Sequence, residues 1–116
     1  MADESFPVNN LLGTAKSREI QRAILAEMRG ERSNATLHFL AAGHMELVLA
    51  VDYDLAGESD LALRSRLSAA SCFWRAGQPN QARSLFDSLL RECPARALEI
   101  QKVMAELAQD YPALAS

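Results

Sequence analysis

Two histidines and two cysteines are the side chains in this sequence best suited to chemistry. His38 and His44 lie six residues apart in one predicted helix, so they project about 120° apart around its axis. Metal-binding pairs on a helix need a spacing of three or four residues, and neither histidine has an acidic residue at that spacing. We therefore predict one histidine at a helix–helix contact, the other nearer to solvent, and no metal site.

The cysteines indicate little further reactivity. Arg75 lies one turn after Cys72 and could stabilise a thiolate there, but a free cysteine in a helix usually behaves as a small buried hydrophobe. Cys72 and Cys93 are too few for a disulfide framework, and we expect both to be reduced. The sequence has no glycine-rich dinucleotide loop, phosphate-binding loop or nucleophile elbow. We expect no catalytic residue, no cofactor and no enzyme activity.

The composition is typical of one globular domain. Of the 116 residues, 49% are hydrophobic and 23% are charged, close to the globular average. The net charge of −3 is too small to attract nucleic acid or an anionic membrane through the field of the whole molecule. The acidic start leads into no apolar run, and the longest such run, residues 47–51, is too short to span a bilayer. We expect a cytoplasmic protein, and ten Arg against two Lys suggest a GC-rich bacterial genome.

Helical periodicity begins after a short irregular segment. Residues 1–13 show no sustained period and predict an extended or mobile arm, followed by one domain over residues 14–116. Caps, glycines and prolines divide that domain into five predicted helices, at about 15–29, 34–55 and 60–76, one from Pro79, and one between Pro94 and Pro112. A short strand over residues 48–54 is the alternative to the end of the second helix, but a lone strand has no partner. Gly43 in that helix predicts a close approach to a neighbouring backbone.

A helix–turn–helix pattern occurs twice, with an offset of 47 residues. Each copy has a turn glycine, an alanine five residues later, a phenylalanine four residues after that, and an aliphatic residue after three more. The copies are Gly30, Ala35, Phe39 and Ala42, and Gly77, Ala82, Phe86 and Leu89. The glycine suits a turn, the alanine allows a close helix crossing, and the phenylalanine fills the space beyond. The pattern therefore predicts two helical hairpins.

The repeat resembles the tetratricopeptide repeat (TPR), a family of stacked helical hairpins. Residues 63–96 match the family's spacing at Ala70, Gly77, Ala82, Phe86 and Pro94. The first copy lacks the closing proline, and both copies lack the family's early tryptophan, where Glu19 and Arg66 stand. The resemblance implies an all-α fold, a right-handed stack of two TPR-like units with a C-terminal capping helix. A generic helical bundle is the alternative.

The resemblance also implies a concave groove lined by the first helix of each repeat. The matching positions include tryptophan, arginine and methionine, which are enriched in protein interfaces. The implied groove residues are Ile24, Glu27, Met28, Arg64, Leu67, Ser71, Trp74 and Arg75. The alternative for Trp74 is that it packs on the fifth helix or on the N-terminal arm.

The second helix offers another surface, because its end is apolar on nearly every side. The residues concerned are Leu47, Val48, Val51, Tyr53 and Leu55. Either the N-terminal arm or a second subunit must cover them. In a dimer, Asp52 and Asp54 would lie at the rim or pair with Arg64 and Arg66 of the other subunit. They belong to an acidic run over residues 46–60 that is either solvated or complementary to a docking partner.

These surfaces indicate a protein interaction module, such as an adaptor or chaperone-like protein, that binds a peptide or helix in the groove. The alternative is a structural self-assembly domain whose second helix forms a homodimer. We expect a protein or peptide partner in either case, and neither nucleic acid nor a membrane.

Overall fold

The computed structural model describes the backbone of residues 5–112 and the side chains of residues 10–112. Nearly all of these residues are helical. The helices are α1 (Ser5–Met28), α2 (Arg32–Leu55), α3 (Ser59–Arg75), α4 (Pro79–Glu92) and α5 (Ala97–Asp110), with a 3-10 turn at Pro94–Arg96 before α5. No strand occurs in these residues, which confirms the all-α prediction. The alternative of a strand over residues 48–54 is wrong, because these residues continue α2.

The first helix is longer than the sequence predicts. The extended arm predicted for residues 1–13 is wrong for residues 5–13, because α1 begins at Ser5; residues 1–4 lie outside the described residues. Pro7 is compatible with the helix because it stands in the first turn, where backbone amides have no intrahelical acceptor. The early part of α1 lies beside the end of α2, where Asn10, Gly13 and Thr14 line a cleft together with Tyr53. It therefore covers one side of the α2 extension.

Three interhelical turns share one geometry. Gly30, Gly57 and Gly77 have φ angles of 73°, 76° and 80°. Each glycine amide donates to the carbonyl three residues earlier, and the next amide donates to the carbonyl five residues earlier, which is the Schellman pattern that ends a helix. The alanine five residues after each glycine is buried, namely Ala35, Ala62 and Ala82. The repeat found in the sequence includes the first and third turns. It does not include the turn at Gly57, which has the same geometry.

Two apolar clusters meet at α3. One joins α1, α2 and the end of α3 through small side chains packed around Phe39. The other joins α3, α4 and α5 around Phe73, Trp74 and Phe86. As the repeat pattern predicts, its alanines and phenylalanines are all buried. The second helix thus lies between α1 and α3, with its inner face on the core.

Gly43 lies where α2 meets the ring of Phe73. A Cβ atom added at Gly43 would stand 3.0 Å from Phe73 Cε1 and 3.1 Å from Phe73 Cζ. The predicted close approach is therefore present, but the neighbour is an aromatic side chain and not a backbone. The Phe73 ring is fully buried and also contacts His44 edge-on, with 5.1 Å between ring centres. Glycine leaves the space that this ring occupies.

Candidate protein interaction surfaces

The groove implied by the TPR resemblance is partly closed by α5. Trp74 and Leu67 are only 6% and 7% exposed, and they share a core with Ile100 and Leu107 of α5. The prediction that they line an open groove is therefore wrong, and the alternative, Trp74 packed on the fifth helix, is correct. A buried side chain offers no contact area to a partner, so neither residue is an anchor in this conformation.

Glu27 and Arg75 do meet, together with Tyr111. Arg75 donates from Nε to Tyr111 Oη at 2.7 Å and from Nη2 to Glu27 Oε1 at 3.0 Å, and the Tyr111 hydroxyl donates to Glu27 Oε2 at 2.9 Å. The guanidinium also lies 4.4 Å from the centre of the Phe39 ring. Burial raises the pKa of Tyr111, and the hydrogen bond to Glu27 raises it further. This closed triangle joins the ends of α1 and α3 to the residue after α5.

The other implied groove residues stay apart from this triangle. Ile24 and Met28 on α1 are exposed, as is Arg64 on α3. Ser71 is half-buried, and its hydroxyl donates to the Leu67 carbonyl at 3.0 Å. A cleft of about 270 Å³ next to Ser71 separates α3 from α5. The groove therefore retains few side chains that a partner can contact.

The outer face of α2 carries a mainly apolar stripe whose leucines and valines are left exposed by the described residues. Its members alternate spacings of four and three residues, which is the pattern of a coiled-coil seam. They are Leu37, Ala41, His44, Val48, Val51 and Leu55, hereafter the outer stripe. The four leucines and valines are 65%, 53%, 52% and 83% exposed in chain order. The buried residues of α2 lie on its other faces.

The outer stripe contains three of the five residues predicted for self-association, Val48, Val51 and Leu55. Leu47 and Tyr53 are half-buried, and Leu47 packs against the core of α3 and α4, so the chain itself covers part of both residues. The first half of the stripe lies outside the surface that was predicted for self-association. Its signal is the regular spacing, which continues back to Leu37, Ala41 and His44.

Much of the acidic run is paired within the chain. Asp54 Oδ2 accepts from Arg66 Nη2 at 2.6 Å, and Asp60 Oδ1 accepts from Arg96 Nη1 at 2.8 Å. Arg66, one of the two arginines considered as partners of Asp54 from a second subunit, thus pairs with it within the same chain. Asp52 is half-buried beside the outer stripe.

Glu46 is the buried member of that run. It is 2% exposed on the inner side of α2, where Oε2 faces Lys16 and Oε1 has no hydrogen-bond partner among the described residues. Burial raises the pKa of Cys72 to about 12, and the nearby charge of Glu46 also raises it. The thiol is therefore protonated and unreactive, in agreement with its predicted role as a small buried hydrophobe.

The two ends of the outer stripe differ in shape and charge. Beside its first residues, a cleft of about 150 Å³ lies between α1 and α2, lined in part by Arg22, Arg29, Glu31, Asn34 and His38. At the other end Leu55 projects into solvent, and the last turn of α2 contains acidic but no basic residues. Carboxylates at the C-terminal end of a helix oppose its dipole, so this arrangement does not stabilise α2 itself.

The histidines occupy the environments that the sequence predicts. His38 Nδ1 lies 2.9 Å from Glu19 Oε1 across the α1–α2 contact, and this hydrogen bond lowers the pKa of Glu19. His44 is exposed. Across residues 5–112, no group of three or more His, Cys, Asp or Glu side chains is placed to hold a metal ion.

No helix in the described part of the chain combines the length and the apolar character needed to cross a bilayer. Comparisons with protein-family models, with curated proteins and with solved structures found no match for this chain. Its function must therefore be inferred from its own surfaces.

Proposed function

We propose that this protein is a non-catalytic protein interaction module whose working surface is the outer stripe of α2. The observation that carries this proposal is the exposure of at least half of each leucine and valine in the stripe, on a helix whose other faces pack against α1 and α3. Contiguous exposed apolar surface is uncommon on a monomer and usually marks an interaction site.

The geometry of the stripe favours a helical partner. Leu37 and Leu55 are eighteen residues apart, which corresponds to about 27 Å of helix. Side chains at alternating spacings of four and three residues insert between the side chains of a second helix along that length. An extended peptide, whose side chains alternate from one face to the other, has no matching period.

The arrangement of the five helices as a hairpin stack is part of the same proposal. We propose that the chain is a stack of TPR-like hairpins, supported by the equivalent turns at Gly30 and Gly77 and by the buried alanine and phenylalanine that follow each. We place the protein in the cytoplasm, where the free thiols of Cys72 and Cys93 remain reduced.

Peptide binding in the groove is the second candidate. The exposed pair Ile24 and Met28 favours it, because these residues lie four apart on one face of α1. The groove is nevertheless the weaker candidate, since Trp74 and Leu67 are buried and Glu27 and Arg75 bond to Tyr111.

Site-specific photo-crosslinking in the cells that produce the protein separates the two candidates. Benzoylphenylalanine would replace Val48 in the outer stripe, Arg64 in the groove, or Leu98 on α5 as an exposed control (85%). We expect protein adducts from position 48 and none above background from positions 64 and 98. Adducts from position 64 alone would transfer the function to the groove, and no adduct from position 48 would refute the proposal.

A further inference from the structure

We infer that the helix that packs on the outer stripe is the outer stripe of a second copy of this chain, in antiparallel orientation. This inference rests on the proposed function and names its partner. A twofold axis near the middle of the stripe would place Leu37 opposite Leu55 of the other copy, Ala41 opposite Val51, and His44 opposite Val48. The arrangement is isologous, the commonest symmetry of protein oligomers.

The two ends of the stripe are complementary in shape. Leu55 is the most exposed of the stripe's leucines and valines, at 83%, and stands at its C-terminal end. The cleft of about 150 Å³ stands at the N-terminal end, with Asn34 and His38 of α2 on its wall. In antiparallel packing, a knob at position 55 of one copy enters the hole around residues 34, 37, 38 and 41 of the other. Each copy thus supplies one projecting leucine and one cleft that receives it.

The charges are compatible with the same orientation. Asp52 flanks the stripe near its end, and in antiparallel packing it would approach His38 of the other copy. Arg22, Arg29 and Glu31 line the cleft there, and Glu19 already pairs with Arg22 and His38, so the cleft carries charges of both signs. Parallel packing would align the dipoles of the two α2 helices side by side in the same direction, whereas antiparallel packing opposes them, which is the more favourable arrangement.

The area also fits. Covering the exposed parts of the stripe and its flanks in two copies would remove on the order of 1,000 Å² of surface from water, which is the lower limit for a specific protein interface. We therefore expect a reversible dimer and not an obligate one.

Sedimentation velocity of the purified chain over a range of concentrations tests the partner. We expect the wild type to shift from monomer to dimer as its concentration rises, and Val48→Glu with Val51→Glu to weaken the dimer by about 100-fold or more, because it buries carboxylates. Leu98→Glu, on α5, is the matched control and should dimerise normally. Circular dichroism of the double variant must show wild-type helix content, so that loss of the dimer cannot be attributed to unfolding. A wild type that stays monomeric at high micromolar concentration overturns the inference.

Disulfide formation tests the orientation. In a background with Cys72→Ala and Cys93→Ser, which removes both native thiols, Leu37→Cys and Leu55→Cys proteins would be oxidised separately and as a mixture. An antiparallel dimer crosslinks only in the mixture, because identical positions lie about 27 Å apart and a disulfide needs Cα atoms within about 7 Å. Crosslinking of either protein by itself would establish parallel packing and refute the proposed orientation. A monomeric wild type combined with photo-adducts to other proteins at position 48 would leave the proposed function intact and refute only the choice of partner.

Discussion

The inner and outer faces of α2 are both largely apolar, yet the chain buries one and exposes the other. The inner face carries small residues, among them Ala35, Gly43 and Ala50, together with Phe39 and Leu49, and all of these are buried. The outer face carries leucines and valines that are at least half exposed. Large apolar side chains thus occur on both faces, but only those of the inner face are removed from water.

The small side chains of the inner face explain how that face comes to be buried. Helices approach closely where the residues between them are small, and Gly43 allows the ring of Phe73 to lie where a Cβ atom would otherwise stand. The fold requires those small residues. It makes no comparable use of Leu37 or Leu55, which therefore indicate a role outside the folded monomer. Predictions that contrast the two faces follow, in order of expected effect on stability.

The largest effect should come from adding volume to the inner face. Ala35→Leu should lower the free energy of unfolding by about 1–3 kcal/mol, because Ala35 is 2% exposed and has no space for three more carbon atoms. Urea denaturation followed by circular dichroism measures the change. Ala82→Leu, at the equivalent position after Gly77, should behave in the same way.

The matched control is Ala105→Leu at an exposed position of α5, which should change the stability by less than about 0.5 kcal/mol. If Ala35→Leu and Ala82→Leu were as stable as the wild type, the helices of the two hairpins would not cross at these alanines. The alignment that equates Ala35 with Ala82 would then be refuted.

Gly43→Ala should have a smaller effect, because two opposing terms contribute. Alanine improves helix propensity by about 1 kcal/mol, but its Cβ atom would stand 3.0 Å from the Phe73 ring. The ring is fully buried, so we expect the steric term to dominate, with a net loss of about 1 kcal/mol. A double-mutant cycle with Phe73→Leu isolates the contact, since the smaller side chain should relieve most of the clash. Additive effects would show that Gly43 and Phe73 are not coupled.

The helices were predictable wherever local residues determine them. Gly30, Gly77 and Pro79 mark helix ends by their own backbone properties, and the structure places turns and helix starts there. The start of α1 was not predictable in this way. Residues 5–13 have no strong helical period, and their helix lies along an unusually long α2, which is a tertiary relationship.

The candidate sites were less predictable, because burial depends on which elements meet. Trp74 and Leu67 stand at positions that line a groove in the TPR pattern, yet α5 packs over both. Glu46 looks like a solvated acid, but α1 brings Lys16 to it across the helix pair. The outer stripe was available from spacing alone, since its pattern of four and three residues continues through α2 without interruption.

The hydrogen-bonded triangle of Glu27, Arg75 and Tyr111 gives a third prediction, with an effect of similar size. Tyr111→Phe removes the hydroxyl that accepts from Arg75 and donates to Glu27, and should cost about 1 kcal/mol at neutral pH, because water reaches these partly exposed groups. The pKa of Tyr111 is raised above its ordinary value of 10.0, so its contribution is complete below pH 10 and is lost as the pH rises through the folded-state pKa. The difference between wild type and variant in urea denaturation should therefore shrink at alkaline pH. A constant difference would mean that the hydroxyl does not titrate in this triangle.

The smallest effect should come from the outer face. Leu37→Gln keeps the length and the helix propensity of the side chain and, at 65% exposure, removes little buried apolar area from the monomer. Measured at a concentration low enough to keep the chain monomeric, its free energy of unfolding should stay within about 0.5 kcal/mol of the wild type. Leu49→Gln, on the inner face of the same helix and 2% exposed, is the matched control and should lose about 2 kcal/mol or more, because it buries an amide in the core. At high concentration the order of effects should change: Leu37→Gln should weaken self-association although it leaves the monomer intact. If it destabilised the monomer as much as Leu49→Gln does, Leu37 would be a core residue, and the contrast between the two faces of α2 would not hold.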